Sequence, residues 1–190
     1  MLFPSMGCAQ NPDTTADAEP EVVFPSTDGE SDVPYVSTPY AVVDSMLSLA
    51  GVTEADTVYD LGSGDGRIPI RAATKYGAHG VGIEIKSELV AEARQNAQDA
   101  GVADRVEFRE GDLFEADISG ATVVTMYLLP SVNMELRPKL FRELSPGTRV
   151  VSHDFDMNEW EPILTKEVNG NLIFLWRIPE ETPAFMQEPE

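Results

Sequence analysis

Three acids in this chain each stand where a strand should end, and a glycine-rich loop follows the first of them. That first acid is Asp60, in the run Val58-Tyr59-Asp60-Leu61-Gly62-Ser63-Gly64-Asp65-Gly66-Arg67. Glu84 comes 24 residues later, and Asp112 lies in Glu110-Gly111-Asp112-Leu113-Phe114. Glycine carries no Cβ, so the amides of the Gly62-Ser63-Gly64-Asp65-Gly66 loop can approach a nucleoside closely. A carboxylate at Glu84 can accept both ribose hydroxyls, as the acid about 20 residues on does in dinucleotide folds. Asp112 can accept from an adenine amino group, with Leu113 or Ile85 against the ring. A lone Asp after a strand is more often a turn residue. Three acids ending three successive strands around one glycine loop point instead to a nucleoside site. The spacing is G-x-G-x-G, whereas the dinucleotide fingerprint G-x-G-x-x-G places its third glycine one residue later. This favours S-adenosylmethionine (SAM) over NAD and sets aside an NAD-dependent oxidoreductase.

The elements that must position these residues alternate along the chain. Thr38-Pro39 reads as a helix start, with Thr38 as cap, ahead of Val42, Val43, Met46, Leu47 and Leu49 on one face and Gly51 as the stop. The spacing then predicts strand 57–61, helix 67–76, strand 80–85, a helix capped by Ser87 and closed by Gly101, strand 105–110 and strand 121–127. A helix over 131–144, broken or kinked at Pro138, and strand 148–153 follow. Strands 163–168 and 172–178 flank Asn169-Gly170-Asn171, a hairpin signal. The fold class is α/β: a doubly wound, Rossmann-like sheet of seven strands, mostly parallel, with an antiparallel hairpin at its C-terminal end. Ligands of such sheets bind outside the carboxyl ends of the strands, beside the first.

The same geometry gathers a second group. Tyr127 and Asn133 follow the fourth strand; His153, Asp154, Asp156 and Trp160 follow the fifth. Tyr127, Asn133, His153 and Asp154 are the candidate catalytic residues. His153 reads first as a hydrogen-bonded structural group, then as a proton acceptor. A metal at His153-Asp154-Phe155-Asp156 is not expected, because no second His or Cys lies near in sequence. Asp154 and Asp156 suit docking of a cationic chain, and Trp160 suits packing.

Charge narrows the partners. The formal net charge is −20, from 33 acids and 13 Lys and Arg. Residues 1–35 carry seven of those acids and no Lys or Arg, and residues 178–190 carry four acids and no base, which leaves about −9 for the middle. Such a chain is poorly suited to a phosphate backbone, so no nucleic-acid partner is expected. It suits a basic protein surface. Hydrophobic residues at 42% and charged residues at 24% support one ordered domain. Its bounds are set at 33–178, between an acidic, disordered tail over 1–32 and an acidic C-terminal tail over 179–190. No transmembrane segment is expected. Cys8 is the only cysteine, so no internal disulfide can form. Its context faintly resembles a lipoprotein cleavage site, but only seven residues precede it, with no apolar region. A cytoplasmic location is expected, with lipid anchoring through Cys8 the alternative if a signal sequence lies upstream. Oligomeric state is not encoded legibly.

Asp60-Leu61-Gly62-Ser63-Gly64-Asp65-Gly66, Glu84 and Asp112 resemble the first three motifs of class I, seven-β-strand SAM-dependent methyltransferases. The resemblance spans roughly 34–178. Within that class the chain is most similar to small protein-lysine methyltransferases of archaea and mitochondria. The similarity rests on Pro34-Tyr35-Val36-Ser37-Thr38-Pro39, Asp60–Arg67, and Val123-Val124-Thr125-Met126-Tyr127-Leu128-Leu129-Pro130-Ser131-Val132-Asn133. It implies SAM as cofactor and a segment including Tyr35 and Thr38 folded over the methionine end. It also implies a protein substrate with an accessible lysine. Mitochondrial members carry a membrane-targeting helix ahead of the domain, where this chain has an acidic stretch. Many amine methyltransferases have Asn or Asp, then Pro-Pro and an aromatic, after the fourth strand. Here Tyr127-Leu128-Leu129-Pro130 stands instead, which disfavours adenine or glutamine as acceptor. A small-molecule or lipid methyltransferase and a non-catalytic SAM-binding module are the alternatives.

Overall fold

The computed structural model describes residues 36–186. The expected N-terminal tail, Cys8, Tyr35 and residues 187–190 lie outside the described residues. Helix α1 (Tyr40–Leu49) leads into β1 (Thr57–Leu61), α2 (Arg67–Tyr76), β2 (His79–Glu84), α3 (Ser87–Asp99) and β3 (Val106–Glu110). Then come β4 (Val123–Met126), α4 (Pro130–Glu143), β5 (Arg149–His153), β6 (Leu164–Val168) and β7 (Asn171–Arg177). The seven strands form one sheet in the order β3-β2-β1-β4-β5-β7-β6. Neighbours from β3 through β5 are parallel, and β7 runs antiparallel to both β5 and β6. The order reverses between β1 and β4, which opens the crevice there.

Side-chain alternation assigns the two faces. Val58, Val123 and Val151 pack under α1 and α2 with Val42, Val43, Met46, Leu47, Ile68 and Ala72. Tyr59, Val124 and Val150 face the other way, onto Leu136 and Leu140 of α4 and onto Trp160 and Trp176. Helix α3 packs Val90, Ala93 and Ala97 on Phe108 of β3. The Trp176 indole N–H donates to the Trp160 carbonyl at 2.5 Å, and Trp160 lies 4.5 Å from the Phe141 ring. Trp160 is therefore core, as its packing role implied. The hairpin turn at Asn169-Gly170 has φ of 52° and 83°, the left-handed pair that a two-residue turn matching strand twist requires.

Several boundaries and caps differ from the sequence reading. Strand β2 ends at Glu84, so Ile85 is free of the ladder. Helix α4 begins at Pro130 and runs unbroken past Pro138. Pro39 rather than Thr38 caps α1, and Lys86 rather than Ser87 caps α3; neither cap uses a side-chain bond. The Thr38 hydroxyl is engaged by a distant residue. Beyond β7 the chain turns back on α4, where a short 3-10 turn (Ala184–Met186) sets Phe185 edge-on to Phe141 at 6.1 Å. The Arg137 guanidinium lies 5.0 Å above the Phe185 ring.

Gly66, where the loop enters α2, marks the tightest junction between helix layer and sheet. Its φ is 78°, and a Cβ there would come within 2.5 Å of the Phe108 ring and 2.9 Å of the Ala93 methyl. Gly66→Ala should cost about 2–4 kcal/mol from backbone strain and overpacking together. Urea denaturation with an unchanged slope checks this; a loss under 1 kcal/mol contradicts the junction described.

Candidate active site

The glycine loop is hung from the end of β2. The amides of Gly62 and Ser63 both donate to the Ile83 carbonyl at 2.9 Å, and the Gly64 amide donates to Glu84 Oε2 at 2.9 Å. Glu84 Oε1 accepts from the Lys86 amide at 3.0 Å. These two bonds fix the carboxylate plane at the mouth of the loop. Gly62, Gly64 and Gly66 have φ of 78°, 52° and 78°, so side chains are excluded by the backbone path itself. At Gly62 a Cβ would also meet Leu128 Cδ2 at 2.9 Å.

Asp60 lies beside this loop, 3% exposed. Its Oδ1 accepts from the Thr125 hydroxyl at 2.7 Å, across the β1–β4 pairing that sets Asp60 opposite Thr125. Burial pushes its pKa up to about 7, and the Asp65 and Glu84 carboxylates push the same way, against the Thr125 bond. Thr125 was missed in the sequence. The signal was a polar residue inside an otherwise apolar strand, since a fully buried hydroxyl needs a partner.

Ile85 is 67% exposed at the carboxyl end of β2, and Leu113 is half-buried against the core. Asp112 is exposed, and its Oδ1 accepts from the Phe114 amide at 2.8 Å, so it also shapes its own turn. These features fit an adenosyl group: a cradle that a Cβ would fill, a fixed carboxylate for the ribose, and an uncovered apolar side chain for the base.

The acceptor side is built differently from a rim of free polar groups. Asn133 is fully buried; its Nδ2 donates to Ser152 Oγ and to the Phe155 carbonyl, both at 3.2 Å. Its Oδ1 is buried without a partner among the described residues. It stands beneath the rim, not on it. His153 is 1% exposed and has both ring nitrogens engaged, by Thr38 Oγ1 at 3.2 Å and Asn171 Oδ1 at 3.0 Å. Tyr127 packs on it with centroids 3.9 Å apart and faces Phe155 at 6.4 Å. Burial, and then the nearby Asp154, raise the Tyr127 pKa, so its phenol stays neutral at physiological pH. Asp154 has a left-handed φ of 62° and clasps the hairpin: its Oδ1 accepts from the Leu172 amide at 2.8 Å. Asp156 is exposed. Among the described residues no three His, Cys, Asp or Glu side chains come together as a metal site.

Arg67 and Asn171 were also missed. Arg67 grips Asp65 in the loop through Nε and Nη2, at 2.9 and 2.6 Å, and donates from Nη1 to the Thr38 carbonyl at 2.9 Å. A pairing of position 67 with position 38 leaves no local spacing signal.

A carboxyl group whose folded pKa is raised binds more protons folded than unfolded. Its contribution to stability is full below the unfolded pKa of about 3.9 and is lost as pH rises through about 7. Without ligand, Asp60→Asn should therefore gain in melting temperature over the wild type progressively from pH 4 to pH 8. Parallel pH curves in differential scanning fluorimetry would contradict the buried placement of Asp60.

Comparison with known proteins agrees with this geometry. The family model described as the ANTKMT methyltransferase domain matches residues 60–164. A protein-lysine N-methyltransferase of Saccharolobus islandicus is 50% identical over 153 residues, covering 78% of this chain and 95% of that protein. An adenine nucleotide translocase lysine N-methyltransferase of mouse is 39% identical over 132 residues, and there the chain spans only 57% of the relative's length. The crystal structure of an RNA methyltransferase from Salinibacter ruber, in complex with S-adenosylhomocysteine (SAH), is 65% identical with a TM-score of 0.79. It covers 80% of this chain and 100% of that one. With glycine cradle, strand order and these likenesses in agreement, the chain belongs to the ANTKMT methyltransferase domain family, and its cofactor is SAM.

Proposed function

We propose that this enzyme methylates lysine side chains of a protein. The observation that carries the reading is the 50% identity to the archaeal protein-lysine N-methyltransferase across 95% of that protein's length. The name of the Salinibacter ruber structure makes RNA the second reading. The formal net charge of −20 weighs against RNA, because a phosphate backbone would be repelled. It favours an acceptor whose lysine sits in basic surroundings. A cytoplasmic location, where SAM is made, is part of the proposal.

When bound, SAM supplies an electrophilic methyl group on a sulfonium. The residues of this chain supply alignment, worth several kcal/mol when reactants are held in line. The acceptor amine must be neutral. With a free pKa of about 10.4, deprotonating lysine at pH 7 costs roughly 4.6 kcal/mol. Carboxylates at Asp154 and Asp156 stabilise the ammonium, so they recruit the side chain and do not activate it. Tyr127 stays neutral, and both nitrogens of His153 are already committed. Among the described residues no side chain of the rim is arranged as a strong base, and proton loss to solvent fits this site best.

Two measurements check this. Methyl-labelled SAM incubated with the protein and a cell lysate should label a protein band that yields methyl-lysine on digestion, and Asp60→Ala and Glu84→Ala should abolish it. Label that RNase removes supports the RNA reading, and label in the organic extract supports a lipid acceptor. Asp156→Asn should raise KM for the protein acceptor several-fold with kcat unchanged. A fall in kcat at unchanged KM contradicts the docking role.

A further inference from the structure

Thr38 makes two bonds that pull in opposite directions across the crevice. Its carbonyl accepts from Arg67 Nη1 at 2.9 Å, and Arg67 is itself clamped to Asp65 of the glycine loop. Its hydroxyl meets His153 Nδ1 at 3.2 Å, at the end of β5 on the acceptor side. The side chain is buried, and no bond to its own helix uses the hydroxyl.

The partners of His153 decide which atom carries the proton. Asn171 Nδ2 donates to the carbonyls of Val168 and Asn169 at 3.3 and 3.1 Å, so the Asn171 atom facing His153 is the oxygen Oδ1. Asp154 Oδ2 lies 3.3 Å from the same ring nitrogen, Nε2. Two acceptors at Nε2 require a proton there. In the neutral ring Nδ1 is then the bare nitrogen, and its lone pair accepts the Thr38 hydroxyl proton. The ring has no lone pair left for a substrate amine.

We infer that His153 is a positioning residue: through the Thr38 hydroxyl it anchors residues 36–38 across the crevice and so couples the acceptor edge at β5 to the cofactor loop held by Arg67. The inference rests on the family's cofactor site. It assigns the Thr38 hydroxyl to His153 and not to SAM. Cofactor affinity then depends on a side-chain bond made on the acceptor side, and an acceptor that presses on the β5 edge changes the grip on the cofactor.

The test compares Thr38→Val, which keeps shape and removes the hydroxyl, with Thr38→Ser, which restores it. Titration calorimetry with SAH should show binding about tenfold weaker for Thr38→Val, equivalent to about 1.4 kcal/mol. Thr38→Ser should bind within twofold of wild type, with ligand-free melting temperatures close for all three. Wild-type affinity in Thr38→Val, or equal weakening in both variants, overturns the proposal. A wild-type protein that fails to bind SAH would instead overturn the cofactor site itself. The second measurement needs no variant. The chain has two histidines, His79 and His153, so nitrogen–proton correlation spectra of the imidazoles are readily assigned. At a pH where the ring is neutral, His153 should carry its proton on Nε2, and a neutral ring protonated on Nδ1 instead overturns the proposal.

Discussion

Everything at the carboxyl edge of this sheet depends on how the end of β2 holds the glycine loop. One carbonyl, Ile83, receives two loop amides, and one carboxylate, Glu84, receives a third. Those bonds satisfy loop amides that would otherwise need water or ligand. They also bring the loop so close to β2 that Gly82 has no space for a side chain: a Cβ would come within 2.5 Å of both Ser63 Oγ and the Phe108 ring. The same phenyl ring thus leaves no space for a Cβ at either Gly82 or Gly66. Glu84 is the peg of the loop, its two carboxylate oxygens accepting from the Gly64 and Lys86 amides, so the loop and the end of β2 share one register.

The electrostatics follow from that closeness. Asp60, Asp65 and Glu84 converge, and among the described residues Asp60 has only the Thr125 hydroxyl against the cost of burial. Residues 1–35 contain no Lys, Arg or His and can supply no side-chain cation to it. Such a pocket is poised for a ligand that brings its own positive charge, as the sulfonium of SAM does. The carboxylates of Asp154 and Asp156 lie farther out, Asp156 exposed and Asp154 partly so. Among the described residues this edge of the sheet is thus built mostly from fixed dipoles and packed rings.

The strands and helices were legible because each carries its own local signal. The alternation of strand and helix, the Asn169-Gly170 turn and the glycine loop all act within a few residues. The candidate acids Asp60, Glu84 and Asp112 stand out for the same reason, since each is tied to a strand end. What stayed hidden was cross-chain. Thr125 reaches Asp60 over 65 positions, Arg67 reaches Thr38 over 29, and Thr38 reaches His153 over 115. Thr38 looked like a helix cap because Thr before Pro favours one; the competing partner was invisible until β5 was placed beside α1. Asn133 looked like a rim residue because it follows β4 closely, yet the first turn of α4 swings it under the rim to Ser152.

The hairpin that completes the sheet also decides how the sheet stops. Strand β6 pairs only with β7 among the described residues and leaves its outer backbone row open, with Lys166 and Glu167 exposed upon it. At the opposite border, Glu107 and Arg109 of β3 pair with each other at 2.8 Å. Both margins of the ribbon are thus studded with ions. A foreign strand docking on either would have to strip water from them, which guards an open sheet against accretion into fibrils.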